Sequence, residues 1–134
     1  MSEYYSRITG VVIHKVVNTN IEKFNKRLEF TPSDCNIQLA KVKITDAVLP
    51  HAHVRHTRTT ARTHEAWFVL SGALGIALYD IDGTLLGEET LYSGMMLVTT
   101  GGGHSCKALA PDTDILEIKN GPYESYIDYE RLKI

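Results

Sequence analysis

From Ile37 onward the sequence alternates with a period of two: Ile37, Leu39, Lys41 and Lys43 face one way, and Gln38, Ala40, Val42 and Ile44 the other. Successive side chains of an extended strand point to opposite faces, so this period selects strand over helix. The pattern then repeats in short runs closed by turn signals. Glu65 to Asp80 is one long extended run whose middle, Ser71-Gly72, invites a bend or bulge. Asp80-Ile81-Asp82-Gly83 is a hairpin turn with a glycine available for positive φ, and Thr84–Tyr92 pairs back. Ser93-Gly94 turns again, Met95–Thr100 is a further strand, and Gly101-Gly102-Gly103 ends it. Ser105–Leu109 and Ile115–Lys119 are expected to form a last hairpin across Ala110-Pro111-Asp112-Thr113. Short strands with turn signals roughly every eight to twelve residues indicate an all-β sandwich or barrel.

The N-terminal third is less regular. Val11-Val12-Ile13 and Val16-Val17 are β-branched, and Asn20 is placed to cap a short helix over residues 21–30, where Ile21, Phe24 and Leu28 share a helical face. Thr31-Pro32-Ser33-Asp34 breaks that pattern. The 134 residues fit a single domain, 1–134, with no internal repeat or low-complexity tract. A formal net charge of −2 argues against nucleic acid or an anionic membrane engaged through overall charge. No run of about 18 apolar residues is present, so no membrane-spanning helix is expected. Met1 to Arg7 is polar and acidic where a signal peptide is basic and then apolar, so a cytoplasmic location is expected. Cys35 and Cys106 lack the density of a disulfide scaffold, and both thiols are expected to be reduced.

Histidine carries the chemistry. Four of the six histidines lie between residues 51 and 64. His51 and His53 are two apart, so on a strand both rings project from one face, a natural half-site for a transition metal. Glu65 opens the long apolar strand on the face that carries Trp67 and Val69; a carboxylate there must reach a barrel mouth or be paired. His104 follows three glycines, which let the backbone turn sharply and present the ring inward.

This arrangement resembles the cupin superfamily. The first motif of that family is two histidines one residue apart, then a glutamate, six residues and a glycine, and Glu65-Ala66-Trp67-Phe68-Val69-Leu70-Ser71-Gly72 matches its second half. Gly94-Met95-Met96-Leu97-Val98-Thr99-Thr100-Gly101-Gly102-Gly103-His104 looks like the second motif, without the proline usual before the turn. The resemblance covers roughly residues 37 to 121 and implies a single-domain jelly-roll barrel, a double-stranded β-helix, over that core. More narrowly, the chain is similar to a group of small bacterial cupins, some encoded among polysaccharide-biosynthesis functions, that end the barrel with a segment like Gly121-Pro122-Tyr123. The implied site is His51, His53, Glu65 and His104 around a divalent transition metal (Fe, Mn, Ni or Zn), with His53, Glu65 and His104 as the catalytic set.

The spacing departs from the family pattern. Eleven residues, Val54 to His64, separate His53 from Glu65, where the family has about three or four. Either a longer loop still brings His51 and His53 to Glu65, or the histidines serve otherwise. That segment carries Arg55, Arg58 and Arg62 among four threonines, and guanidinium forks match carboxylate or phosphate, so these arginines, with Trp67, are candidates for binding an anionic or sugar-type substrate. Three functions compete: a metal-dependent isomerase, epimerase or dioxygenase; a metal-free epimerase or ketoisomerase acting on a nucleotide-linked sugar; and a non-catalytic binding barrel. A homodimer is expected, because an open barrel leaves sheet edges to cover; Tyr123, Tyr126 and Tyr129 in the tail are natural covers.

Overall fold

The turn residues named above punctuate ten strands in the computed structural model, which describes residues 1–20, 24–47, 49–53 and 62–121. They are β1 (Ser2–Tyr5), β2 (Val12–Asn18), β3 (Arg27–Glu29), β4 (Ala40–Val42), β5 (Glu65–Ser71), β6 (Ala73–Tyr79), β7 (Leu85–Tyr92), β8 (Met95–Thr99), β9 (Gly103–Ala108) and β10 (Asp114–Lys119). All pairings among them are antiparallel. A five-stranded sheet runs β1-β2-β8-β5-β10, a three-stranded sheet β7-β6-β9, and β3 pairs with β4 alone. The all-β expectation holds. No helix of the described residues is long and apolar enough to cross a membrane.

Two cores explain the sequence patterns. Leu74, Ile76 and Leu78 of β6 and Leu91 of β7 pack against Val16, Trp67, Val69 and Leu97 of the larger sheet, filling the gap between the two sheets. The opposite face of the larger sheet presents Val17, Ala66, Met96 and Val98 to Phe30, Cys35 and Ile37. The larger sheet is therefore covered on both sides, which is why Met96, Leu97 and Val98 read as a continuous apolar run rather than an alternation.

The extended run from Glu65 to Asp80 is divided where expected. Gly72 sits at φ +81°, and a Cβ there would stand 2.4 Å from Thr113 Oγ1. Only glycine fits this corner, where the chain leaves the larger sheet for the smaller one. The strands at the other end of the sequence follow the same corner: β9 pairs with β6 and β10 with β5. The expected last hairpin does not form. Its connection is instead held by Leu109 N–H on the Ala73 carbonyl at 2.8 Å and Thr113 Oγ1 on the Ala110 carbonyl at 2.7 Å.

The N-terminal helix is also corrected. Residues 24–30 contain β3, which pairs Leu28 with Lys41 and Glu29 with Ala40, while Leu28 packs on the second core. Tertiary pairing overrides a short helical period that a strand with one apolar anchor serves equally well. Ile21 lies outside the described residues, as do the tail tyrosines. β1 was not expected; it edges the larger sheet, and Tyr4 closes on Gly87 with its hydroxyl donating to Glu89. Asp80 ties this end down, accepting from Ser6 Oγ and from the Arg7 and Ile81 amides at 2.7–2.8 Å.

Candidate functional site

The register of the larger sheet sets one row of side chains side by side at one end of the gap: Tyr4, His14, Thr99, Glu65 and Lys119 are successive cross-strand partners. Opposite them, β9 brings in His104, the partner of Leu78. Glu65 Oε2 and His104 Nε2 stand 3.5 Å apart, both side chains 17% exposed. Trp67, one row further in, stacks on the His104 ring with centroids 4.0 Å apart and planes at 29°. Its indole N–H donates to Glu65 Oε1 at 2.6 Å and lies 3.3 Å from Glu117 Oε1. Glu117 in turn faces Lys119 Nζ at 3.8 Å. Thus three of the expected site residues, Glu65, Trp67 and His104, form one contacting group.

Burial pushes the Glu65 carboxyl up, but hydrogen bonding with His104 and Glu117, the His104 charge and the Trp67 N–H outweigh it and hold the group down at about 2. Burial, then the charges of Glu117 and Glu65, push the Cys106 thiol up. That shift favours the protonated thiol over the thiolate at Cys106.

Behind His104 lies a second histidine. His104 Nδ1 is 2.9 Å from Thr99 Oγ1, which is 3.0 Å from His14 Nδ1, and His14 Nε2 is 2.9 Å from the Tyr79 carbonyl. His14 is fully buried, and that burial lowers its pKa. The glycines ahead of His104 make room for this stack: Gly102 has φ +69°, and a Cβ on it would fall 2.2 Å from the Tyr79 oxygen. Sequence reading assigned His14 nothing. The available signal was a histidine on the same strand face as Val16, inside a β-branched run.

The other expected residues lie apart. His51 and His53 are exposed and stand on no strand; their rings meet edge to face at 5.3 Å, and His51 Nδ1 donates to the Leu49 carbonyl at 2.9 Å. No strand of the described residues lies between β4 and β5, so no ladder carries the pair toward the gap between the sheets. Among the described residues, no group of three or more His, Cys, Asp or Glu converges on a metal position. Arg55 and Arg58 lie outside the described residues. Arg62 is exposed, its Nη1 beside Gly101 and its carbonyl accepting from Asn36 Nδ2 at 2.7 Å. His64 serves the scaffold: Nδ1 accepts the Asn36 amide at 3.0 Å with Cys35 Sγ 3.3 Å away, and its own amide donates to Asn120 Oδ1.

Neither a protein-family model nor a curated protein or solved structure matches the chain.

Proposed function

We propose that the chain is a cupin-type jelly-roll barrel that moves protons on a small sugar-type substrate at the polar end of the gap, with His104 and Glu65 as the working pair. The observation that carries this reading is the 3.5 Å approach of His104 Nε2 to Glu65 Oε2 beside the Trp67 ring. That distance exceeds the roughly 2.7–2.9 Å of a saturated charge-assisted bond, so Nε2 keeps capacity for a third party. His104 takes a proton from a carbon next to a carbonyl: the C–H bond breaks, an Nε2–H bond forms, and the electron pair passes to the carbonyl oxygen. The Glu65 carboxylate, ionised at neutral pH, stabilises the imidazolium that results. Lys119, the cross-strand partner of Glu65, is a cation bordering this end, and Arg62 lies beyond it near Gly101; both are suited to the enolate or to an anionic group of the substrate. Return of the proton to the other face of the same carbon gives an epimerase; return to the former carbonyl carbon, with the adjacent hydroxyl's proton passing to the enolate oxygen, gives a ketoisomerase.

The test is deuterium wash-in: a panel of keto sugars and nucleotide-linked sugars is incubated with the protein in D2O, and label beside the carbonyl is read by NMR. Wild type incorporates deuterium into at least one member, and His104→Ala abolishes it. Failure across the panel, or full activity in His104→Ala, ends the proposal.

A second reading is a metal site, and the same distance favours it. Two ligands each about 2.1 Å from a tetrahedral ion stand about 3.4 Å apart. Glu65 and His104 would hold the ion together with His51 and His53, and the ion would act as a Lewis acid on a carbonyl. Elemental analysis of protein purified without chelator decides: one divalent ion per chain, lost in His104→Ala, selects this reading.

A further inference from the structure

We infer that His14 and Thr99 are positioning residues that lock the proton of the neutral His104 ring onto Nδ1 and leave Nε2 turned toward Glu65. The direction of every bond in the stack follows from its buried end. The Tyr79 carbonyl only accepts, so His14 Nε2, 2.9 Å away, must carry a hydrogen. Full burial with no carboxylate in hydrogen-bonding contact leaves His14 neutral, and its lowered pKa agrees, so His14 Nδ1 is a bare acceptor. Thr99 Oγ1, 3.0 Å from that nitrogen, therefore spends its single hydrogen on His14. Its oxygen is left to accept, and the donor 2.9 Å away is His104 Nδ1–H. Because a carbonyl cannot take up a proton here, the stack is a dead end and not a wire to solvent. It fixes the tautomer and ring orientation of His104, as the partner on the far nitrogen does in other histidine sites.

The chemical consequence, that a substrate proton meets Nε2 between Glu65 and the stacked Trp67, rests on the proton-transfer reading above. The proton positions do not. Among the described residues, the titratable groups coupled to the two rings are Glu65 and Asp80, with Glu117 and Cys106 beside Glu65.

The experiment is long-range ¹H–¹⁵N correlation on the full chain with ¹⁵N-labelled histidine, which reports the protonation of each ring nitrogen. The neutral His104 ring is expected to carry its proton on Nδ1, and His14 is expected to show Nε2–H with bare Nδ1. Thr99→Ser keeps this pattern, and Thr99→Val lets the neutral His104 ring move its proton to Nε2. Neutral His104 carrying its proton on Nε2 in wild type overturns the inference, as does an unchanged pattern in Thr99→Val. If Thr99→Val does not fold, the wild-type spectrum alone decides. A locked tautomer with no deuterium wash-in leaves this inference standing and sinks only the catalytic reading.

Discussion

The gap between the two sheets has an apolar end and a polar end built from the same strands. In the middle rows, Val16, Leu97 and Trp67 are cross-strand partners, and Val69 pairs with Ile115, closed from above by Leu74, Ile76 and Leu91. In the terminal row the positions on those same faces are His14, Thr99 and Glu65, closed by His104. Backbone geometry is shared; only the side chains differ. One end is held by volume and the other by satisfied hydrogen bonds, and among the described residues no buried side-chain polar atom lacks a partner. Function in such a fold is a matter of which side chains occupy one row, not of a separate structural module.

The two ends are expected to fail differently. The largest effect belongs to the apolar end. Leu91 is fully buried, and Leu91→Ala should cost about 2–5 kcal/mol in urea unfolding. Leu91→Met, which conserves volume, should cost under about 1.5 kcal/mol. The order of these two variants is the check.

At the polar end volume is not enough. His14→Leu keeps a side chain of comparable bulk but strips partners from the Tyr79 carbonyl and the Thr99 hydroxyl. An expected loss of about 1–3 kcal/mol follows from the unsatisfied groups. A variant as stable as wild type would mean that the polar stack is incidental packing.

Which of these ends could be read from sequence follows from the distances involved. The strands between Glu65 and Thr99 were legible because their signals are local: alternation, Gly72 at the corner, Gly83 and Gly94 at positive φ in the turns. The fate of β9 and β10 was not, since it depends on Gly72 sending β5 and β6 into different sheets some 40 residues upstream of the last strand, as the Ser71–Asp112 contact shows with a separation of 41. The helix expected over 21–30 failed because a segment so short fits either period, and the pairing of Leu28 with Lys41 decided it. Glu65 and His104 were legible from two separate motifs, and Trp67 from sharing a strand face with Glu65. His14 and Thr99, 85 residues apart, become partners only through the register of β2 on β8. His51 and His53 carried a strong local signal for a strand that stops at Val42.

The pH dependence of stability sharpens the comparison, since buried histidines with lowered pKa values stand at the polar end, in His14, and nearby, in His64. Burial lowers the folded pKa of both His14 and His64 below 6.5. The unfolded chain then binds more protons than the folded one, so stability is full above pH ~6.5 and is lost as pH falls through the folded values. Glu65 acts in a separate window: held at about 2 against 4.5, its contribution persists until pH drops below 4.5 and vanishes near 2. Urea midpoints should therefore decline from pH 7 to 5, and His14→Gln should flatten part of that decline. A flat wild-type profile over this range would contradict neutral burial of His14.

The smallest effect is expected outside the gap. His51 and His53 are exposed, and among the described residues their rings contact each other and the Leu49 carbonyl. His53→Ala should leave unfolding within about 0.5 kcal/mol of wild type, the usual range for surface changes. Its value lies in being read beside the site. Under the proton-transfer reading, deuterium wash-in persists in His53→Ala, because His104, Glu65 and Trp67 already form a complete contacting group without it. Under the metal reading, bound ion and activity fall together in His53→Ala as they do in His104→Ala. A near-neutral change in stability with loss of wash-in and of metal would show that residues 49–53 reach the polar end during function, and would move the working site from the dyad to the four-ligand set.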